Sequence, residues 1–374
     1  MAALNDDAPA GSAPVAVAAA ARHMRGYFEA AVQGLARRCR AGGNIDFTLL
    51  DREQLLAYAL AVGAAELAAV DALSGYERQS GEQDSLTRPL VAITATELLA
   101  SVHRRLLSWA VPADLDPVAL AGALTQGPLA ELRREWGAPE ALASVGETAL
   151  SRGAMRLPTG LDPEQEMVRE ALARFTRERV APLAESIHRE GLDIPEALIR
   201  EAADIGCFGS CIPQRYGGQQ PDERSDSLAM IVVTEELSTG SLGAGGSLVT
   251  RPEIAARALL AGGTAAQREY WLPRLAAGRA LAAIAVTEPD CGSDVAAVSL
   301  RATRSADGWV LDGAKTWCTF AGRADLLVVL ARTGPEAGHR GLSLFLVEKD
   351  ARPGKHFTVE QAGGGRVSGR AIDT

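Results

Sequence analysis

The chain is 374 residues long, 47% hydrophobic and 23% charged, with a net charge of −9. This is the composition of a packed globular protein of two or three domains, and it excludes a disordered or collagen-like chain. An acidic chain without a basic block is a poor partner for nucleic acid or an anionic membrane surface, so neither is expected.

Residues 1–20 are rich in Ala, Pro and Gly and carry Asp6 and Asp7 where a signal peptide would carry basic residues. An unstructured tail is expected there. Residues 21–150 read as helix throughout. Leu56, Leu60, Ala64, Leu67 and Val70 recur every three or four positions, as do Val91, Ala95, Leu98, Val102, Leu106 and Trp109. That spacing puts each set on one helical face. Gly42-Gly43, Ser74-Gly75, Ser80-Gly81, Pro112, Pro117 and Gly127-Pro128 break the helices apart, and the sum is a helical bundle. The most apolar stretch, residues 55–73, contains Glu66 and Asp71, so no transmembrane segment is expected. His23 and His103 stand near arginines and are expected to be solvated.

Gly, Ser, Pro and Thr cluster at residues 145–160 and mark a joint. Asp162-Pro163-Glu164 then opens a new helix, expected to be lined by Met167, Ala171, Phe175 and Val180. Helices continue to about Gly278. From residue 281 the pattern changes to short, alternating, β-rich segments at 282–288, 299–304, 309–312, 326–331, 342–347 and 356–360. Asp307-Gly308 and Asp312-Gly313 supply turns between them, and Gly363-Gly364-Gly365 reads as a hairpin connection. Strands grouped after helices predict an α+β fold whose β-domain is antiparallel.

Cys39, Cys207, Cys211, Cys291 and Cys318 are odd in number and lack a disulfide spacing, which suits a reducing compartment. Cys207 and Cys211 form one CxxxC without a neighbouring His; buried thiols are a better reading than a metal site. Two runs carry chemistry. In Ala285-Val286-Thr287-Glu288-Pro289-Asp290-Cys291-Gly292-Ser293-Asp294 a strand ends in a polar turn. Such a turn can aim neutral donors at a pyrimidine edge or a pyrophosphate, or it can be a capped strand end. In Asp312-Gly313-Ala314-Lys315-Thr316-Trp317-Cys318-Thr319, period two would put Trp317 and Thr319 on one side of a strand. An indole beside a hydroxyl can cover an aromatic ring and bond its heteroatom. Gly243-Ala244-Gly245-Gly246 is not GxGxxG after a strand, and Glu235 and Glu236 diverge on their helix.

Taken in order, these runs and several others resemble the acyl-CoA dehydrogenase family. The others include Val180-Ala181-Pro182, Ile205-Gly206, Ile212-Pro213, Tyr216-Gly217-Gly218, Thr234-Glu235-Glu236-Leu237, Gly263-Thr264 with Gln267, Trp271-Leu272-Pro273 and Gly278. The resemblance covers residues 157–374. It implies an N-terminal helical domain over 158–280 and a middle β-domain over 281–374, preceded by an extra bundle over 21–150. It also implies FAD as cofactor. By position, Ile284, Val286 and Thr287 meet the pyrimidine side of the flavin. Ser293 touches the pyrophosphate or the pantetheine of CoA, Trp317 lies against the ring, and Thr319 bonds near its reactive nitrogen. Cys291, Ile284 and Phe320 depart from the family's usual residues, and Cys291 is expected to crowd its turn.

The family's catalytic base is a Glu of a C-terminal four-helix domain. The resemblance therefore places the base beyond Thr374, with that domain missing from this chain, and assigns no catalytic residue here. The segment 54–69 faintly resembles a helix of that domain. The implied activity is oxidation of an acyl-CoA to the 2,3-enoyl-CoA, with electrons passed to an electron-transfer flavoprotein. The alternatives are an acyl-CoA oxidase-type flavoenzyme or a non-catalytic subunit of a heteromeric complex. A homo- or hetero-oligomer in the bacterial cytoplasm is expected.

Overall fold

The computed structural model describes residues 12–80, 84–153, 157–224, 226–306, 308–336 and 338–350, and the strands 356–360 and 366–370. The chain divides into two compact units, Met1–Gly160 and Leu161–Thr374.

The first unit is helical. Helix α1 (Ser12–Arg38) is followed by a small hairpin of β1 (Arg40–Ala41) and β2 (Asn44–Ile45). Then come α2 (Phe47–Arg52), α3 (Gln54–Ser80), α4 (Thr87–Ser108), α5 (Pro117–Gly122), α6 (Pro128–Trp136) and α7 (Pro139–Ser151). Helix α1 starts at Ser12 because Ala13, Val17 and Ala20 are buried in the common core. The expected tail over 1–20 is therefore helical from Ser12, and residues 1–11 lie outside the described residues. Met24, Leu56, Leu67, Leu99, Leu129 and Leu132 are fully buried at the centre.

On α3 the buried stripe runs Leu56, Ala59, Leu60, Gly63, Leu67, Val70, and Ala64 is exposed. Gly63 takes the inward place because a Cβ there would lie 3.3 Å from the Phe28 ring of α1. A glycine that weakens the isolated helix thus lets two helices approach closely. By length and composition α3 is apolar enough to cross a membrane. Its acids are nevertheless tied within the bundle: Glu66 accepts from Arg105 at 3.0 Å and from Ser101 at 2.7 Å, and Asp71 pairs with Arg25 at 2.9 Å.

His103 is fully buried on α4, not solvated. Its Nε2 lies 2.7 Å from the Leu120 carbonyl, so Nε2 carries the proton, and the buried Nδ1 has no partner. His23 is half-buried against Tyr27. Burial holds the His103 imidazole below its ordinary value of 6.5, and Arg133 and Arg104 add to this against the opposing Leu120 bond. The folded state therefore binds that proton less readily than the unfolded chain. The first unit should lose stability as pH falls below about 6.5, by at most about 1.4 kcal/mol per pH unit for one proton. His103→Gln should flatten this dependence in urea melts at pH 5 and pH 7; an unchanged slope would assign the acid sensitivity to other groups.

The second unit begins with α8 (Pro163–Phe175), which opens on a reciprocal cap. Gln165 N–H donates to Asp162 at 2.8 Å, and Asp162 N–H donates to the Gln165 side chain at 3.1 Å. Leu172 and Ala173 are its buried residues, and Met167 and Ala171 are exposed, contrary to the expected lining. A π-helical turn at Thr176–Val180 follows, then α9 (Ala181–Glu190), α10 (Glu196–Asp204) and α11 (Ser227–Gly240). A second π turn, Leu242–Gly246, leads into α12 (Ser247–Gly262) and α13 (Ala265–Ala276). Cys207 and Cys211 sit in the core between these helices, and burial pushes both thiols up to about 12. No group of His, Cys, Asp or Glu among the described residues could hold a metal ion.

The strands are β3 (Ala282–Ala285), β4 (Arg301–Ser305), β5 (Gly308–Asp312), β6 (Leu326–Arg332), β7 (Leu342–Glu348), β8 (His356–Glu360) and β9 (Arg366–Arg370). The last two form a separate antiparallel pair, and the glycines expected to join them lie outside the described residues. The main sheet is mixed, which corrects the antiparallel expectation. Strand β6 runs antiparallel to β7 but parallel to β3, pairing Ala282 with Leu326, and parallel to β4 at Arg332. The reason lies in the connection. Between β3 and β6 the chain builds the β4–β5 hairpin and crosses back to the end where β3 began, as a parallel pair requires. On β6, Leu326 and Val328 face the helical core, and Val329 and Ala331 face a smaller core with Leu300 and Ala302. One face of the sheet thus joins the helical core, and the other packs against a smaller core of its own.

Candidate functional site

The site grows from the end of β3. Ile284 is half-buried on the strand against the helical core, and Val286 and Thr287 are half-buried just beyond it. The chain then turns back. Glu288 N–H donates to the Cys291 carbonyl at 2.9 Å, and Cys291 N–H donates to the Glu288 carbonyl at 3.3 Å. Cys291 is accommodated half-buried in that turn without loss of either bond, so the expected crowding is not seen. Gly292 folds over Thr287, where a Cβ would lie 3.7 Å from Thr287 Cγ2, and Ser293 follows, exposed.

The second run comes alongside through one backbone bond, Thr316 N–H to the Thr287 carbonyl, 2.9 Å. This segment is not a strand, which corrects the period-two argument for Trp317 and Thr319. Trp317 has φ 57° and Phe320 has φ 66°, and two left-handed residues break any alternation. Phe320 is buried in the helical core, Thr319 is half-buried, and Trp317 is 90% exposed. A large indole fully in water on a strained backbone is costly on both counts, and such strain concentrates at ligand sites. Among the described residues, the hydroxyls of Thr287, Ser293 and Thr319 make no hydrogen bond within the protein, and that of Thr316 is buried without a partner.

Beneath this surface lies a network for which the sequence carried no role. Lys315 Nζ donates to Glu288 Oε1 at 2.9 Å and to the Val286 carbonyl at 2.8 Å. The two side chains are 8% and 4% exposed. Glu288 also accepts from Ser299 N–H at 2.8 Å, Ser299 Oγ at 2.6 Å and Leu300 N–H at 2.8 Å. Burial alone would raise the Glu288 carboxyl, but the bonds from Ser299, Lys315 and Leu300 outweigh it and bring it down to about 2. The available signal was compositional. Only three of the 38 basic residues are lysines, at 315, 349 and 355, and one of them stands inside a chemistry-bearing run. The surface as a whole offers a flat apolar face, several neutral hydroxyls and a cation already neutralised from below.

Residues 162–279 match the acyl-CoA dehydrogenase N-terminal domain and residues 283–366 the acyl-CoA dehydrogenase middle domain, together more than half of the chain. The chain belongs to the acyl-CoA dehydrogenase family. It is 36% identical over 343 residues to (2S)-methylsuccinyl-CoA dehydrogenase of Cereibacter sphaeroides, covering 87% of this chain and 60% of that protein. It is 35% identical over 204 residues to glutaryl-CoA dehydrogenase of Desulfococcus multivorans, covering 54% of this chain and 52% of that protein. The solved butyryl-CoA dehydrogenase of Megasphaera elsdenii is 30% identical with a TM-score of 0.48, covering 54% of this chain and 53% of that one. The chain spans about half to three-fifths of the length of these acyl-CoA dehydrogenases. Leu161–Thr374 cannot by itself supply 87% of the chain, so the match to the Cereibacter acyl-CoA dehydrogenase runs well into the first unit.

Proposed function

We propose that this chain forms the cofactor-holding part of an FAD-dependent acyl-CoA dehydrogenase that oxidises an acyl-CoA to its 2,3-enoyl-CoA. The observation that carries the reading is Trp317, an indole 90% exposed at φ 57° beside unpartnered hydroxyls. That combination fits an aromatic ring system edged with acceptors. FAD, when bound, supplies the hydride acceptor. In this reading Ile284, Val286 and Thr287 bind the pyrimidine edge, and Trp317 covers the ring and keeps water from it. The Thr319 hydroxyl donates near the reactive nitrogen, and Ser293 bonds the pyrophosphate or the pantetheine of the thioester. No side chain of this chain is assigned the removal of the α-proton.

An electron-transfer flavoprotein as acceptor, an oligomeric assembly and a cytoplasmic location complete the proposal. The last is supported by five free thiols, which a reducing interior preserves. (2S)-Methylsuccinyl-CoA is the first thioester to try, because the relative named for it is matched beyond the second unit. The test is FAD titration of the purified chain, followed by anaerobic addition of methylsuccinyl-, glutaryl- and butyryl-CoA. Saturable FAD uptake is expected, with the flavin band perturbed by one of the thioesters but not bleached, since no base for the α-proton is assigned to this chain. A protein that takes up no FAD would overturn the reading.

A further inference from the structure

We infer that Lys315 is a positioning residue for the site, acting through the Val286 carbonyl to fix the backbone that presents Thr287 and Trp317. The inference rests on the flavin reading above. Lys315 is too buried to reach a ligand itself, its side chain being 8% exposed. What it touches is backbone. One ammonium hydrogen bond holds the Val286 carbonyl at 2.8 Å and another holds Glu288 at 2.9 Å. Glu288 in turn takes the two amides at Ser299 and Leu300, at 2.8 Å each, where the chain enters β4. The Thr316 amide, next in sequence to Lys315, closes on Thr287 at 2.9 Å.

Three segments far apart in the chain, at 286–288, 299–300 and 315–316, are thereby locked by one buried ion pair. The lock stands directly before Trp317, whose left-handed backbone persists only where its surroundings hold it. A lysine suits the place, because its compact ammonium can serve a carbonyl and a carboxylate at once. The pair also cancels its own charge, so the surface above it presents neutral donors.

Two variants test this. Ser299→Ala removes one donor to Glu288 and leaves the ion pair in place. The double variant Lys315→Met with Glu288→Gln removes both charges together and avoids a lone buried ion. Each is titrated with FAD by flavin fluorescence, at a temperature where a cooperative melt shows it folded, and the absorption spectrum of the bound flavin is recorded. FAD binding is expected to weaken about threefold for Ser299→Ala and about tenfold for the double variant, with a shifted flavin spectrum in both. If both folded variants bind FAD as tightly as the wild type with the same spectrum, the lock is structural only and the inference fails. Should the double variant not fold, Ser299→Ala decides alone by the same two readouts. Absence of FAD binding by the wild-type chain would overturn the flavin reading itself, and this inference with it.

Discussion

Replacing Lys315 with methionine should lower the stability of the second unit by about 3–5 kcal/mol, the usual cost of stranding one member of a buried pair. Glu288 is 4% exposed at its side chain and would keep its charge without the ammonium 2.9 Å away. For a unit of this size the loss corresponds to roughly 6–20 °C in the melting temperature. Adding Glu288→Gln should recover part of it, since no uncompensated charge then remains. A double-mutant cycle of the two changes therefore reads the pair directly. The same pair sets an acid limit. The folded carboxyl lies at about 2 against an ordinary 4.5, so it binds its proton less readily than in the unfolded chain. Its stabilisation is complete above the ordinary value and is lost as pH falls from about 5 to 2, about 3 kcal/mol in all. Glu288→Gln should remove that limb of the pH profile. A Lys315→Met protein that melts within about 1 °C of the wild type would show that the pair contributes little.

Trp317→Ala should weaken FAD binding about 10–100-fold, the range expected for losing one stacked aromatic face. Thr319→Val should weaken it about threefold by removing one donor. Neither change should unfold the unit, because Trp317 is exposed and Thr319 half-buried. Trp317→Gly separates function from fold more sharply. At φ 57° a glycine relieves about 1–2 kcal/mol of backbone strain, so this variant should melt higher than the wild type while retaining less FAD. Opposite shifts in melting temperature and flavin content are the signature of a residue held for binding at the expense of stability. Unchanged flavin content in all three variants would sink the assignment of this surface.

Much of this was legible before any coordinates. Residues 282–288, 299–304 and 326–331 read as strands because apolar alternation reports a pleated, half-buried surface. The observed strands Ala282–Ala285, Arg301–Ser305 and Leu326–Arg332 follow them within a few residues. The Asp162 cap was equally local, needing only an acceptor at one residue and an amide three further on. His103 was misread because a histidine near arginines has no local mark of burial. Its place was decided by Leu120, seventeen residues away, folding over α4.

The sequence by itself determined where helices give way to strands and most of the apolar faces, although Ala64, Met167 and Ala171 turned out exposed. Both follow from side-chain type and spacing within a few residues. Only the tertiary structure decided that β3 and β6 run parallel, since alternation names faces and not directions. Only it turned Trp317 out of a strand into an exposed, left-handed position. It also joined Lys315, Glu288 and Ser299, because a buried charge must find its partners wherever the folded chain brings them, and sequence distance carries no record of that meeting.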